Sequence, residues 1–546
     1  MVGTLYSCID RHGHLNYETF ERYCAFLDDT NPDEDEFEIE MLFPELVGDD
    51  SNSDDDEVQG RKRKKWSRYR PKLVHCDGTV TLAHPKTTFW FLVYVSHPDK
   101  ENARFQRKFR LRFRLPYSQY EKLLARISDV ENETSMHFFS KWVRPHPYSK
   151  KMPVPISLLL LGSLRYLGRG FTFDDIEECT AISQETHRVF FHQFITYGSS
   201  ALYKEYVKPP LTAVDAEKHM LEMRLAGFVG CVASTDASHV KIDMCPHNLH
   251  QVNKGFKLPF TARTYNLTAS HRREVLSSTT GHPARWNDQT LIRFDKFATD
   301  LKEGKILQDV EFILLERDLS GNIIEVKYKG AWVMVDNGYL KWPTTIPPFK
   351  HSNKLSEIRW SKWVESMRKD VECTFGILKG RWRILKSGIR LHGIEAADKI
   401  WLTCCALHNL LLDNDGLNGE WTEGVSLSSD WEGSNGELSE ESIQRHVPAS
   451  LRRLLDPNSE LRRNGFDSSE SGYGNDRMDT IDDNEGDDDD EEVTGNHMNL
   501  DQDGTRHVCS LSRDYFRERL VEHFDILFER HQIIWPQRIA APVCNL

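Results

Sequence analysis

Residues 355–385, "LSEIRWSKWVESMRKDVECTFGILKGRWRIL", carry an apolar stripe in which Val364, Met367, Val371, Phe375, Leu378, Trp382 and Leu385 recur every three or four residues. The spacing predicts one long helix running to Leu385 with its apolar side against the core. Glu372 falls one residue off the stripe, on the row Glu365, Arg368, Glu372, Gly376, Lys379 and Arg383, at the border between core and solvent. Five bases, Arg368, Lys369, Lys379, Arg381 and Arg383, stand around it in residues 368–385, where Asp370 is the only other acid. A segment that merely bound polyanions would gain nothing from this carboxylate. An i, i−4 pair with Arg368 also accounts for Glu372 taken alone, and contributes only about 0.2–0.5 kcal/mol.

Upstream, the texture is different. "GFVGCVASTDASHVKI", "YNLTASHRREVLSST" and "AWVMVDNGY" are short apolar runs divided by turns and polar stretches, which read as strands. Helical texture returns in "AADKIWLTCCALHNLLLDN". Strands followed by helices give an α/β domain over residues 226–415. Two aspartates stand out in it: Asp236 follows the run "FVGCVAST", and Asp336 follows "AWVMV" and precedes the Asn337-Gly338 turn signal. Acids placed where strands leave the core can point into one cavity, and carboxylate oxygens are the ligands that hard divalent cations take.

The chain has 546 residues and 39% hydrophobic content, enough for two folded regions and tails. Its net charge of −14 hides an uneven distribution. Residues 28–57 hold fifteen acids and no Lys or Arg, and residues 476–503 hold thirteen acids and one Arg; these segments carry −15 and −12, which leaves +13 on the rest. A basic body with acidic tails suits a polyanion-binding protein, although solvated tails without a partner give the same charge runs. The eleven cysteines are scattered, and no secretory h-region accompanies them, which points to free thiols in the nucleus or cytoplasm. "VPISLLLLGSL" is too short for a membrane span and is followed by Arg165, so no membrane association is expected.

The expected organisation is a mostly disordered acidic and basic region at 1–104, an all-helical region at 105–225, the α/β domain at 226–415, a disordered acidic linker at 416–504, and an amphipathic helix with a tail at 505–546. The basic run "RKRKKWSRYRPK", residues 61–72, reads equally as a nuclear-import signal or a phosphate-contacting arm. Within "GFTFDDIEECTAISQETHRVFFHQFI", Thr172 and Asp175 form a capping box and Ser183 caps a second helix starting at Gln184, giving a helix-turn-helix. Gln184, Thr186, His187 and Arg188 would then face a DNA groove; an ordinary helical hairpin packed through Ile176, Val189 and Phe190 explains the same pattern. In the last helix, 511–530, Tyr515, Phe516, Leu520, Phe524 and Leu527 lie on one side and would dock back onto the body.

Other chemistries are less well supported. Cys245, His247 and His250 lack a second ligand pair at zinc-finger spacing. His239 reads as a proton carrier or phosphate contact near Asp236, or as a structural histidine. His271, Arg272 and Arg273 read as DNA contacts or as a solvated turn. No serine or cysteine sits in a nucleophile-base motif.

Taken together and in order, "STDASHVKID", "GHPARWNDQTLIRFD", "VMVDNGYLKWP", "RKDVECTFGILKGRWRIL" and "CCALHNLLL" resemble the motifs of PIF/Harbinger-type DDE transposases, across roughly residues 150–415, with a weaker echo in "HQIIWP". The resemblance implies an RNase H-like catalytic core, a mixed sheet flanked by helices, preceded by a helix-turn-helix region. It implies cut-and-paste DNA transposition by strand cleavage and strand transfer. The carried-over triad is Asp236, Asp336 and Glu372, holding two Mg²⁺ or Mn²⁺ ions. Where family members have Asp-Gly, then Thr or Cys, then His, this chain has Asp236-Ala237-Ser238-His239. Asp288 in "RWNDQTL" matches a further acid of the family and is assigned a supporting role, or a capping role before a helix starting at Gln289. Arg368, Lys379, Arg381 and Arg383 would hold the DNA backbone while Trp382 packs. A nuclear location, a homo-oligomer joining two DNA ends and a Myb/SANT-like partner protein are also implied. The competing expectation is a domesticated, catalytically silent DNA-binding or adaptor protein that keeps the fold.

Overall fold

The computed structural model describes residues 72–74, 80–82, 84–144, 154–255, 258–415 and 504–533, which form two compact units. The acidic segments 28–57 and 476–503, nearly all of the basic run 61–72 and the end of "HQIIWP" lie outside the described residues.

The first unit spans residues up to Tyr166 together with Phe171–Phe191. It opens with the antiparallel pair β1 (Lys72–Val74) and β2 (Val80–Leu82). Residues 84–104, expected within the disordered N-terminal region, are folded: short helical turns bury Trp90 and Tyr94. Their rings join those of Phe105, Phe109 and Phe113 on α1 (Ala103–Phe113) and Tyr117 on α2 (Tyr117–Ser128). Helix α3 is Glu133–Val143 and α4 is Ile156–Arg169. Two further helices are α5 (Phe173–Thr180) and α6 (Gln184–Tyr197), joined by a short turn. The Thr172–Asp175 capping box is present, and Ala181 takes the left-handed conformation, φ 54°, that ends α5.

The second unit comprises Leu167–Gly170 and the chain from His192 onward. After α7 (Ala213–Leu225) comes the long strand β3 (Cys231–Lys241). It is followed by β4 (Ala262–Ala269), β5 (Val275–Ser278) and β6 (His282–Pro283). Helices α8 (Asp288–Ile292) and α9 (Lys296–Lys302) lead to the hairpin β7 (Glu311–Arg317) and β8 (Ile323–Lys329). Strands β9 (Trp332–Met334) and β10 (Thr345–Ile346) precede α10 (Leu355–Arg381) and α11 (Ile394–Asp415). The main sheet runs β10-β9-β3-β4-β5, with β6 also on β4. β4 is antiparallel to both of its neighbours β3 and β5, while β9 is parallel to β3 and β10 to β9. A mixed sheet of this order, flanked by helices, is consistent with an RNase H-like core.

Helix α10 packs as its stripe predicts: Val364, Met367, Val371, Phe375 and Leu378 are all buried, with Trp360 and Trp363 extending the buried side. Full burial of such side chains contributes about 1.5–3 kcal/mol each. The helix does not run to Leu385. It ends at Arg381, Trp382 leaves helical geometry, and Leu385 is buried from a separate turn, Ile384–Ser387. The C-terminal part also belongs to this unit: β11 (Arg506–His507) extends β8, and α12 (Arg513–Glu529) buries Phe516, Leu520 and Phe524 in the core beside Phe228 and Trp363. Among the described residues, no helix is long and apolar enough to cross a membrane.

Candidate active site

Asp236 sits in the middle of β3, opposite Leu267 of β4, rather than at a strand's end. It still escapes full burial because its parallel neighbour β9 is short. Ser234 pairs with Met334, and β9 ends there, so two residues further along both chains Asp236 and Asp336 come level at an open notch in the sheet. Asp336 is exposed, and its Oδ1 accepts the Asn337 N–H at 2.6 Å.

Asp288 enters the notch from α8. It occupies the first helical position, and the cap is Asn287, whose Oδ1 accepts from the Thr290 N–H; Asp288 therefore does not cap this helix. Its carboxylate lies so close to the turn after Asp336 that a Cβ on Gly338 would stand 2.9 Å from Asp288 Oδ2. Burial raises the Asp288 pKa, and Asp336 raises it further, against a lowering effect of Arg368.

Helix α10 supplies Arg368 and Glu372. Arg368 Nη2 is 3.4 Å from Asp236 Oδ2 and 3.7 Å from Glu372 Oε1. This helix row therefore faces the notch, with Arg368 buried and Glu372 half exposed. Burial pushes Asp236 up to about 6; Arg368 and the Ala237 N–H oppose this, while Glu372 and Asp288 add to it. Arg368 thus stands between Asp236 and Glu372 and is felt by Asp288, while burial makes Asp236 and Asp288 resist ionisation. That is the electrostatic condition of a place built for additional positive charge.

The donors fit a hard divalent cation in kind, since all are carboxylate oxygens. In this arrangement, among the described residues, no three His, Cys, Asp or Glu side chains stand close enough to share one ion, and this holds for Cys245, His247 and His250 as well. Arg368 is the cation beside Asp236. Its expected place on the DNA-binding surface is corrected accordingly: only 8% exposed, it serves the acids.

The remaining bases divide. Lys379 donates to Ser238 Oγ at 2.7 Å, two residues along the strand and so on the same sheet face as Asp236, and burial lowers its pKa. Next to it, His239 Nδ1 is 2.7 Å from Thr264 Oγ1, and burial together with Lys379 lowers the imidazole pKa. Arg383 is partly exposed. Arg381 is 3% exposed, so packing withholds it from any phosphate.

Burial removes His187, and the turn His271–Arg273, from the surface. His187 is 2% exposed, with Nε2 2.8 Å from Thr180 Oγ1 and its ring against Gly162, and burial brings its pKa down to about 3. Thr186 pairs with Ser183, whereas Gln184 is exposed and Arg188 makes an exposed pair with Glu185. His271, Arg272 and Arg273 form neither a DNA contact nor a solvated turn. All three are buried; Arg272 pairs with Glu222 at 2.7 Å, and His271 and Arg273 with Asp370.

Sequence reading missed what lies under the notch. Tyr339 donates to Asn266 Oδ1 at 2.7 Å, and the Asn266 amide donates to the fully buried Asp295, which caps α9. Nearby Asp236 and Asp288 add to the burial that raises the Tyr339 pKa. The one available signal was Tyr339 directly after Asn337-Gly338; Asn266 and Asp295 look like ordinary strand and loop residues. Asn409 of "CCALHNLLL" is also structural: its side chain bonds both the N–H and C=O of Val275.

Residues 235–409 match the family model described as DDE superfamily endonuclease, a span that contains all four acids. The chain is also 22% identical over 278 residues to the protein called "Protein ALP1-like" of Arabidopsis thaliana, an alignment covering 50% of this chain and 64% of that relative. No solved structure matches.

Proposed function

We propose that the protein is a metal-dependent DNA transposase of the PIF/Harbinger type, which cuts the ends of a DNA element and joins them to target DNA. The observation that carries this reading is the electrostatic linkage of Asp236 with Glu372 and Asp288, and of Asp288 with Asp336, within the segment matching the endonuclease family. Asp236, Asp336 and Glu372 would hold two Mg²⁺ or Mn²⁺ ions, and such ions supply activation of a water or 3′-hydroxyl nucleophile and charge stabilisation at phosphorus. The protein's own share is positional. β3 and β9 fix two acids at one level, α10 sets Glu372 near Asp236, and Asp288 lies close enough to the Asp336 turn that Gly338 leaves it room. Lys379 and Ser238 lie beside Asp236 on the same strand face, where an attached phosphate would meet one cation and one hydroxyl. A nuclear location, an oligomer that brings two ends together and a Myb/SANT-like partner complete the reading.

The second reading is a domesticated, catalytically silent nuclear DNA-binding or adaptor protein. The observation in its favour is that Arg368 neutralises Asp236 and no three acids are gathered around a common point. Cleavage of element-end DNA in Mg²⁺ separates the two, with Asp236→Ala, Asp288→Ala, Asp336→Ala and Glu372→Ala beside the parent. Loss in the Asp236, Asp336 and Glu372 variants supports the triad. Normal cutting by Asp336→Ala with loss in Asp288→Ala replaces Asp336 by Asp288. Binding without metal-dependent cutting in the parent selects the adaptor.

A further inference from the structure

Directly before and after Asp288 the chain forms a cluster of rings with one exposed member, Phe294. Trp286 turns back on His282, its N–H bonding the Pro283 carbonyl at 3.0 Å, so that the two rings stack with centroids 5.2 Å apart and planes 21° apart. Phe294 closes the group, 5.0 Å and 25° from Trp286 and 5.4 Å from His282. A cluster of this kind is ordinarily a small core, yet here Phe294 is 56% exposed, and Arg285 and Arg293 on either side are exposed too. The His282 ring is kept neutral by burial and by Arg263, and its buried Nε2 has no hydrogen-bond partner among the described residues. Asp288 is the only acid in residues 282–294.

We propose that the Trp286–Phe294 face is a base-stacking platform that holds one unpaired DNA base beside the acids. This rests on the nuclease reading above and adds to it a feature of the substrate: the strand at the notch would be unstacked there. Three observations favour a nucleotide. The exposed Phe294 ring, backed by the half-buried Trp286, offers a π-face to any base; the exposed Arg293 beside it matches phosphate; and Trp286, two residues before Asp288, has its Cα within about 7 Å of that of Asp288. That reach is about two base-stacking steps of roughly 3.4 Å.

The test uses the full chain in EDTA, so that binding is read without cleavage. Anisotropy compares a labelled oligothymidylate of about 12 nucleotides with a strand of equal length whose central residues are abasic. The parent should bind the base-bearing strand about tenfold more tightly than the abasic one. Phe294→Ala should lose most of that preference while binding the abasic strand unchanged, and Phe294→Trp should restore it. Arg293→Ala should weaken both strands alike, as a phosphate contact does. Equal parental binding of the two strands overturns the proposal, as does a preference that survives Phe294→Ala. A protein-docking patch would give the same result as equal parental binding. The nuclease reading fails separately: a preference that follows Phe294 in a protein that never cuts leaves the platform standing, whereas cutting that follows the acids with no base preference removes the platform alone.

Discussion

Removing the one guanidinium among the acids is the most demanding check on the electrostatics. In Arg368→Gln, Asp236 keeps only the Ala237 N–H as a charge-stabilising partner, while Glu372 and Asp288 go on raising its pKa. Removing one partner of a buried ion pair costs about 3–5 kcal/mol. Here the contacts are long, 3.4 and 3.7 Å, and Glu372 is 52% exposed, so we expect less than that range, about 2–3 kcal/mol. The pH dependence has a definite sign. Asp236 has its folded pKa raised to about 6, so its contribution to stability is present when it is protonated and is lost as pH rises through that value. Without Arg368 the rise is greater, so the deficit of the variant should be full at a pH well above its own raised value and should shrink as pH falls toward about 6, where Asp236 of the parent is also protonated. Fluorescence of the buried tryptophans 332, 360, 382 and 401 during urea unfolding in EDTA measures it. Added Mg²⁺ should raise the unfolding midpoint more in the variant than in the parent, because in the parent the ion competes with the guanidinium. A variant as stable as the parent at pH 8, or a deficit that grows toward acid pH, would refute the assignment of Arg368 as the counter-ion.

Two further outcomes follow from the packing. Gly338→Ala places a methyl group 2.9 Å from Asp288 Oδ2, so Mg²⁺-dependent cleavage should fall about tenfold or more with circular dichroism unchanged, and full activity would show that Asp288 need not approach the Asp336 turn. His187 has its folded pKa lowered to about 3, so the stability it contributes is complete above about pH 6.5 and is lost progressively as pH falls toward 3; His187→Gln should flatten that part of the acid-unfolding curve without altering DNA affinity per folded molecule.

The amino-acid pattern alone determined the secondary structure around the site. The spacing of apolar residues from Val364 to Leu378 dictates a helix and the side it buries, because only a 3.6-residue period brings those side chains to one face. The capping box at Thr172 and the apolar runs before Asp236 and Asp336 are equally local, and they point to the candidate acids. Tertiary structure decided what each charged group meets. Arg368 and Arg381 lie in the same basic segment, yet one turns to Asp236 and the other is packed away from solvent. "HRR" after β4 reads as a surface turn until Glu222 and Asp370, 50 and 97 residues distant in sequence, arrive as partners. His187 looks like a groove-facing residue until Thr180 and Gly162 enclose it. A charge carries no local mark of burial, since its cost is set by the counter-charge and solvent around it, and those come from other strands and helices. The sequence therefore placed Glu372 on the border of the core, while the register of β3 with β9 determined which acids it faces.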